Sequence, residues 1–454
     1  MSVLQITKLC TLSCTYCFDK VHQNQAKINR DGFFMKDEDF YKYLSRMNQF
    51  FQNKKEDKSI CLSGGEPTLH PSFKKFVRSA VNDNFKIYLL SNLSFNEDIR
   101  KFLKHYFDNG DLSCMTNINS PDDRQYSGMN DYLWENTVNN LQELQNPSLR
   151  FSFNIFDPEI SYDFIYDLVS KFPKMDSMIR IGIENTILPE LRNRKSYVFH
   201  RELWDKYKKL GKVIDKIVEN LHNMGKKIYF DCGAGWCIFD SKTISSIREN
   251  GGVIHGCSLP NDEVQTKGQY STCYALYNYG NEDGNYNIQK NTMKQLRWIS
   301  ILQTEFFKNH YLLLPKCTNC PLLEQACPRF CVSNNINYWE TVFDGKEKYS
   351  QDFLSDPNYQ KLSQDQKNYA KIEYLLSKQR FTEVKDFLKT IFESENIDNL
   401  KDRYKLYNIL INFFIDNNRK QALENFELFV EGKNLNKKDF ALAKLVDLII
   451  KNNK

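Results

Sequence analysis

The chain has 454 residues, of which 41% are hydrophobic, and its formal net charge at pH 7 is +5. This length suits about three domains with buried cores, and the mild charge, without a dense stripe of arginine or lysine, requires no nucleic-acid partner. No run of about 18 apolar residues is present to span a membrane, and no basic and apolar signal segment opens the chain. We therefore expect a protein of the reducing cytoplasm with no membrane partner.

The first predicted strand, residues 4–7, runs into a loop that carries three cysteines in the spacing CxxxCxxC. They are Cys10, Cys14 and Cys17, and Tyr16 precedes the last of them. Three thiolates ligate three irons of a cubane [4Fe–4S] cluster and leave the fourth iron open for a chelating ligand. The alternative is a structural zinc site, which needs a fourth ligand, and only His22 is close enough in sequence to supply it. We predict an iron–sulfur cluster with one open iron.

The second predicted strand, residues 59–62, runs into a pair of glycines followed by an acid and a proline. The motif consists of Gly64, Gly65, Glu66 and Pro67. Because glycine has no side chain, backbone groups at this turn can approach a ligand closely, and the proline then turns the chain. The carboxyl ends of parallel strands meet at one edge of an α/β barrel, so both motifs are expected at the same site.

Predicted strands and helices keep alternating, which indicates parallel βα units. The further predicted strands cover residues 85–90, 112–118, 151–155 and 178–183, and a helix is predicted over about 132–144. Polar residues near the ends of these strands would lie at the open rim of a barrel, although such residues more often serve in turns. They are Ser91, Asn92, Asn119, Asn154 and Glu184.

Two more cysteines, Cys61 and Cys114, lie inside apolar segments, as is typical of core residues. Cys114 is the better candidate of the two for a redox or proton-donating role, because its strand is expected to end in the mouth of the barrel. The other candidate acids and bases are Glu184, Tyr126 and Asp122.

The cysteine loop and the motif at residues 64–67 together resemble the radical S-adenosylmethionine (SAM) superfamily. The resemblance implies a partial (β/α)6 barrel in which the methionine part of SAM chelates the open iron. An electron from the cluster would cleave SAM to a 5′-deoxyadenosyl radical, and this radical would abstract a hydrogen from the substrate. It also implies that Cys10, Cys14 and Cys17 ligate the cluster. The residues expected to bind the cofactor are Tyr16, Gly64, Gly65, Glu66, Pro67, Ser91, Asn92, Asn119 and Asn154.

A second group of cysteines lies between residues 232 and 331, and its eight members are the number that two fully ligated cubanes require. They are Cys232, Cys237, Cys257, Cys273, Cys317, Cys320, Cys327 and Cys331. The last four have the spacing CxxCx6CxxxC, which resembles the SPASM and twitch extensions that carry auxiliary clusters in radical SAM enzymes. Two features depart from that pattern: the middle gap has six residues instead of five, and no cysteine follows the last one.

By analogy with those extensions, one auxiliary site would contain Cys237, Cys257, Cys273 and Cys331. The other would contain Cys317, Cys320 and Cys327. Cys232 is either a further ligand or a small buried residue, so the sequence leaves open whether one or two auxiliary [4Fe–4S] clusters are present. A structural zinc site over residues 317–331 is the alternative.

From residue 349 onward the chain has no cysteine and almost no glycine or proline, and it shows amphipathic helical periodicity. Residues 372–392 superpose on 411–431, with Arg380 on Arg419 and Phe387 on Phe426. This pattern predicts helical hairpins of tetratricopeptide type, followed by a last helix near residues 439–450. Such hairpins either bind a peptide or partner protein or pack as an appendage.

The sequence thus predicts a partial barrel over residues 1–230, a small cysteine-rich auxiliary-cluster domain over 231–340 and an all-α region over 349–454. The expected function is hydrogen abstraction from a peptide or protein substrate, leading to oxidation, a cross-link or a thioether. A reductase or flavodoxin-type protein would donate the electrons. Two alternatives remain: a radical SAM dehydrogenase acting on a small molecule, and a non-catalytic iron–sulfur electron carrier or scaffold.

Overall fold

The structure is a computed structural model that describes most of the chain. The description leaves out residues 1, 18, 20–22, 24–31, 53–57, 121–123, 184–195, 231–234, 255–262, 272, 274–286, 294–295, 297–313, 319, 322–326, 328–337, 340–341, 345–353, 379, 395–400, 417, 432–434, 436–438, 440–441, 444–445 and 448–454. The chain divides into two compact units, one made of residues 1–300 and 321–333 and the other of residues 301–320 and 334–454.

The first unit contains a ten-stranded sheet within the described residues. Its strands are β1 Ser2–Thr7, β2 Ser59–Gly64, β3 Lys86–Ser91, β4 Leu112–Asn117, β5 Leu149–Ile155, β6 Met178–Ile183, β7 Lys227–Phe230, β8 Val253–Ile254, β9 Glu263–Val264 and β10 Tyr270–Ser271. The strand order is β10-β9-β1-β2-β3-β4-β5-β6-β7-β8, and every neighbouring pair is parallel except β9 and β10.

Helices connect the successive parallel strands, as parallel pairing requires. They are α1 Asp37–Phe51, α2 Phe73–Asn82, α3 Glu97–Asp108, α4 Arg124–Ser127, α5 Asp131–Leu144, α6 Phe164–Lys171, α7 Ser196–Asn223 and α8 Ser241–Glu249. Strands β1 to β6 with their helices form the predicted partial (β/α)6 barrel, so the predicted fold class is confirmed. The carboxyl ends of these strands lie at one edge, where the functional site is expected.

The two faces of the barrel sheet differ in polarity because side chains alternate along each strand. The parallel register places Leu89, Cys114 and Leu149 side by side on β3, β4 and β5, so they share one face. Further along that face of β5, the ring of Phe153 packs edge-on against Phe164 of α6, with 5.8 Å between the ring centroids. This face is therefore the apolar core beneath the helices, and the opposite face lines the barrel interior.

The second unit is helical in its described part. Its helices are α9 Pro315–Thr318, α10 Pro357–Gln360, α11 Gln364–Ser377, α12 Phe381–Ser394, α13 Asp402–Asp416 and α14 Arg419–Val430. Each of α11 to α14 packs against the next one in the chain, which confirms the predicted helical hairpins. The predicted helix near residues 439–450 falls largely outside the described residues.

A buried ionic contact ties the hairpins of this unit together. Arg403 on α13 is buried and donates from Nε to Asp439 Oδ1 at 2.7 Å and from Nη1 to Glu373 Oε1 of α11 at 3.4 Å. Tyr407, one turn along α13, donates its hydroxyl hydrogen to the carboxylate of Glu373 as well. Because a buried charge is tolerated only when it is paired, these contacts fix α13 against α11. None of the described helices is both long and apolar enough to cross a membrane.

Candidate active site

The loop that carries Cys10, Cys14 and Cys17 leaves the carboxyl end of β1, and the glycine motif after β2 holds its backbone. The N–H of Gly65 donates to the carbonyl of Thr7 at 2.9 Å, and the N–H of Glu66 donates to the carbonyl of Leu9 at 2.7 Å. A Cβ atom on Gly64 would lie 2.2 Å from the Thr7 oxygen, and one on Gly65 would lie 2.1 Å from the Leu9 oxygen. The glycine pair is therefore needed for close packing against the cysteine loop itself.

The far side of the loop is held by α4, which follows β4. The N–H of Ser13 donates to the carbonyl of Ser127 at 2.8 Å, and the N–H of Thr15 donates to the carbonyl of Tyr126 at 2.7 Å. Tyr126, a candidate acid or base from the sequence, thus contributes its backbone to the loop. Because the loop is hydrogen-bonded from two directions, the positions of its three cysteines are fixed by the barrel.

Glu66 links the second strand to the third. Its carboxylate is fully buried and accepts hydrogen bonds from the Thr68 hydroxyl at 2.7 Å, the Ser91 hydroxyl at 3.0 Å and the Asn92 backbone N–H at 2.9 Å. Burial raises the pKa of Glu66, and these hydrogen bonds oppose the rise. Glu66 thereby positions the turn at Ser91 and Asn92, while Pro67 begins a short 3-10 helix.

Each thiol of the loop receives a side-chain carboxamide N–H. The donors are Asn92 to Cys10 at 3.7 Å, Asn119 to Cys14 at 3.5 Å and Gln23 to Cys17 at 4.0 Å. Burial, the carboxylate of Glu66 and the two neighbouring thiols raise the pKa of Cys10 to about 12, against the opposing N–H of Leu12. Since iron binds the thiolate, cluster assembly must release a proton from this site.

The cysteine loop also contains an aromatic residue, Tyr16, directly before its third cysteine. The ring of Tyr16 stacks on Phe156 with 4.2 Å between the centroids, and its hydroxyl donates to Asn119 Oδ1. Burial and the adjacent Cys14 raise the pKa of Tyr16 well above its ordinary value. The phenol is therefore neutral and acts as a hydrogen-bond donor that orients Asn119.

The three cysteines suit a cubane cluster better than a single metal ion. Within the described part of the chain, no group of three or more Cys, His, Asp or Glu side chains is arranged to hold one ion. A cubane makes a different demand, because each thiolate binds its own iron. The three thiols lie close enough together that Cys14 and Cys17 raise the pKa of Cys10. Each thiol also receives an N–H donor, and soft thiolates arranged in this way suit a cubane.

Two of the residues predicted from the sequence have no contact with the cysteine loop in the described part of the chain. Cys114 is fully buried on the helix-facing side of β4, where burial raises its pKa well above the ordinary value, so the structure does not bring it into the barrel mouth. Asn154 lies in the barrel interior, donates to Asn117 Oδ1 at 3.0 Å and accepts from Arg180 Nη1 at 3.1 Å. Its contacts in the described residues are with neighbouring strands and not with the cysteine loop.

The auxiliary cysteines are described only in part. Cys237 is exposed, and the partly buried ones are Cys273, Cys317, Cys320 and Cys327. The backbone N–H of Trp236 donates to Cys327 Sγ at 3.4 Å. The predicted ligands Cys232, Cys257 and Cys331, and the candidates Glu184 and Asp122, lie outside the described residues. The grouping of these cysteines into clusters therefore stays a prediction.

The barrel interior also contains a carboxyl pair that sequence reasoning missed. Asp19, two residues after the last loop cysteine, accepts from Gln5 Nε2 at 2.8 Å, and burial raises its pKa to about 6. Glu263 of β9 is paired in register with Val3 of β1, and burial together with the nearby Asp19 raises its pKa well above the ordinary value. In the sequence, the only signal of this pair is that Glu263 lies within a short strand-like stretch.

Glu263→Gln is expected to be more stable than the parent protein, by a margin that grows as the pH rises from 6 to 8. A carboxyl whose pKa is raised on folding holds its proton in the folded state but releases it in the unfolded chain, so the native state loses stability as the pH rises above the ordinary value. Glutamine removes this loss. The thermal midpoints of the variant and the parent at the two pH values measure the difference, with the exposed Glu38→Gln as a control. An equal difference at both pH values would contradict the assignment.

The sequence comparisons identify the domain that contains this site. Residues 4–156 match the family described as the radical SAM superfamily. The match spans β1 to β5 and includes the cysteine loop, the glycine motif and the turns with Asn92 and Asn119. This part of the chain is therefore a radical SAM domain. No curated protein matches the sequence.

Solved structures resemble the chain at low identity. SuiB of Streptococcus suis bound to S-adenosylmethionine is 13% identical, with 73% of this chain and 72% of that chain covered and a TM-score of 0.49. SuiB bound to the precursor peptide SuiA is 12% identical, with 65% of this chain and 63% of that chain covered and a TM-score of 0.44. A structure of TYW1 with a lysine-pyruvate adduct is 14% identical, with coverages of 47% and 71% and a TM-score of 0.29. These likenesses assign no substrate to this chain.

Proposed function

We propose that this protein is a radical SAM enzyme that modifies a peptide or protein substrate. The observation that carries the proposal is the cysteine loop: Cys10, Cys14 and Cys17 stand at the carboxyl end of β1, held by the glycine motif and given one amide donor each. When bound there, a [4Fe–4S] cluster supplies the electron that cleaves SAM to the 5′-deoxyadenosyl radical that abstracts a substrate hydrogen.

The residues of the chain would bind and orient these groups. The three cysteines would hold the cluster, and the turn at Ser91 and Asn92, fixed by Glu66, would line the SAM site together with Asn119. The stacked rings of Tyr16 and Phe156 would exclude water beside the loop. Because the radical is quenched by any nearby hydrogen donor, a dry and preorganised site is the main contribution of the protein.

The substrate class rests on the two-unit organisation. A radical SAM barrel acting on a small molecule needs no helical hairpins, whereas stacked hairpins such as α11 to α14 form surfaces that suit a peptide or a partner protein. Leu428 on α14 is 72% exposed, so that helix offers an apolar contact point. SuiB, whose structure contains a precursor peptide, is a low-identity likeness and adds no weight to this step.

The remaining cysteines would hold one or two auxiliary [4Fe–4S] clusters that accept the surplus electron of the product radical or ligate the substrate. Support comes from Cys273, Cys317, Cys320 and Cys327, which are only partly buried, as accessible metal ligands are. Iron analysis distinguishes the two numbers, because two clusters in total contain about eight irons and three contain about twelve. A reductase or flavodoxin-type protein would be the electron donor.

The experiment that tests the substrate class follows the abstracted hydrogen. Cells of the organism that produces this protein are grown in heavy water. Their extract is separated into a peptide fraction and a small-molecule fraction. The reconstituted enzyme is given unlabelled SAM and dithionite with each fraction, and 5′-deoxyadenosine is analysed by mass spectrometry. Deuterium in 5′-deoxyadenosine after incubation with the peptide fraction, but not with the small-molecule fraction, supports the proposal. Deuterium from the small-molecule fraction alone favours the dehydrogenase alternative, and no 5′-deoxyadenosine with either fraction favours an electron carrier or scaffold.

A further inference from the structure

The geometry points to a further role for Asn92, Asn119 and Gln23: we propose that their carboxamide N–H groups set the reduction potential of the loop cluster. The inference rests on the proposed function, because it requires a cluster on Cys10, Cys14 and Cys17. It goes beyond that function by naming which side chains make the cluster reducible. In the sequence two of the three are strand-end asparagines, and the third follows the loop by six residues.

The amide of Asn92 is locked in one orientation. Its Oδ1 accepts from the backbone N–H of Ser94 at 2.9 Å and from the Ser94 hydroxyl at 2.6 Å, which leaves Nδ2 for Thr11 Oγ1 at 3.0 Å and for Cys10 Sγ at 3.7 Å. Because the backbone N–H of Ser94 can only donate, its contact needs the amide oxygen, and the opposite orientation of the amide is excluded. The donor therefore faces the thiol.

The backbone at this turn is strained, which indicates that its geometry is imposed by the surrounding structure. Leu93 has φ +56°, a left-handed conformation that a bulky residue rarely adopts. Its carbonyl accepts from Asn140 Nδ2 of α5 at 2.7 Å, and its N–H donates to the Ser91 hydroxyl at 3.0 Å. Such conformations persist only where the surrounding structure imposes them. The contacts that impose this conformation hold Asn92 beside the cysteine loop.

The amide of Asn119 is oriented by a different device. The phenol of Tyr16 donates to Oδ1, so the oxygen of the amide faces the tyrosine. Nδ2 then points to Cys14 Sγ at 3.5 Å. Both asparagines are buried, so water does not compete for these contacts. The third donor, Gln23 Nε2, lies 4.0 Å from Cys17 Sγ and is the weakest of the three.

The consequence for the cluster follows from charge. Reduction adds one negative charge, which spreads onto the sulfur ligands, and an N–H donor to a ligand stabilises the more negative state. A hydrogen bond strengthens as its acceptor becomes more negative, and a difference of about 1.4 kcal/mol between the two redox states is a factor of ten in their ratio. Loss of one donor should therefore reduce the ratio of reduced to oxidised cluster at a fixed applied potential about tenfold.

The test is an EPR-monitored redox titration of the reconstituted full chain, without and with SAM. Asn92→Asp and Asn119→Asp keep the oxygen that Ser94 or Tyr16 needs and remove the donor. Asn154→Asp adds a carboxylate in the barrel interior beside Arg180, so it controls for an added acid in the barrel but not for a charge next to a thiol. Asn119→Leu removes the donor and adds no charge, with Asn154→Leu as its control. Iron and sulfide contents verify that each variant holds its cluster.

Both Asn92→Asp and Asn119→Asp are expected to have a lower midpoint potential than Asn154→Asp. In the uncharged pair, Asn119→Leu is expected to have a lower midpoint potential than Asn154→Leu. If the asparagine variants shift no further than their controls, the inference is overturned while the proposed function stands. The Leu pair decides between loss of the donor and added charge, and it also decides if an Asp variant loses its cluster. A parent protein that holds no loop cluster and forms no 5′-deoxyadenosine would remove the proposed function and this inference together.

Discussion

Alanine in place of Cys10, Cys14 and Cys17 together is expected to abolish the formation of 5′-deoxyadenosine from SAM. The three thiols are the ligands proposed for the cluster at this loop, and without them no open iron is available to chelate SAM. The barrel itself should survive, because the loop backbone is held by hydrogen bonds from Gly65, Glu66 and α4 that do not involve the thiols. The loss of activity should therefore be complete and should not reflect unfolding.

The measurement is 5′-deoxyadenosine after anaerobic reconstitution, with iron and sulfide determined on the same sample. Iron should fall by about four atoms for each chain, while any auxiliary cluster signal persists. Cys61→Ala is the matched control: this thiol is buried in β2, and its removal should leave SAM cleavage intact. Continued 5′-deoxyadenosine formation by the triple variant would sink the assignment of the loop.

Gly65→Ala is expected to have nearly the same effect through a single methyl group. The added Cβ would lie 2.1 Å from the carbonyl oxygen of Leu9 and 3.0 Å from the Cβ of Cys10, so the loop must move away from the end of β2. Forcing an extra carbon into a packed site costs about 1–3 kcal/mol. The displaced element here carries the cysteines, so we expect loss of the loop cluster and of SAM cleavage, with a smaller loss of thermal stability.

Gly225→Ala is a control for the replacement of a glycine by alanine without a clash. Gly225 has φ +72°, and a Cβ placed there would meet nothing within 4 Å, so alanine at this position introduces strain without a clash. This control should lower the thermal midpoint slightly and retain its iron. Normal iron content in Gly65→Ala would show that the loop does not depend on the close approach of the two backbones.

The barrel and the position of its site could be predicted because both depend on short-range signals. The strand predicted over residues 178–183 coincides with β6 Met178–Ile183, and both motifs lie just after predicted strands, at the shared carboxyl edge. The cysteine spacing needs no tertiary information, since three ligands on one loop are brought together by the chain itself. The helical hairpins after residue 349 followed from periodicity in the same way.

Other parts of the site depend on contacts between distant residues, which one sequence does not encode locally. Asn92 lies 82 positions from Cys10, and nothing in the turn chemistry of Ser91 and Asn92 distinguishes an amide aimed at a thiol from an ordinary cap. The face that Cys114 occupies was also not predictable, because the choice between core and interior is made by the helices that pack on β4. Glu263 becomes a buried partner of Asp19 only through the pairing of β9 with β1.

The most direct test of the account is EPR spectroscopy of the anaerobically reconstituted, dithionite-reduced protein, recorded before and after addition of SAM and followed by analysis for 5′-deoxyadenosine. We expect a reduced [4Fe–4S] signal that changes when SAM is added, together with formation of 5′-deoxyadenosine. Zinc in place of iron at the cysteine loop, or an iron–sulfur signal that SAM leaves unchanged with no 5′-deoxyadenosine formed, would contradict it.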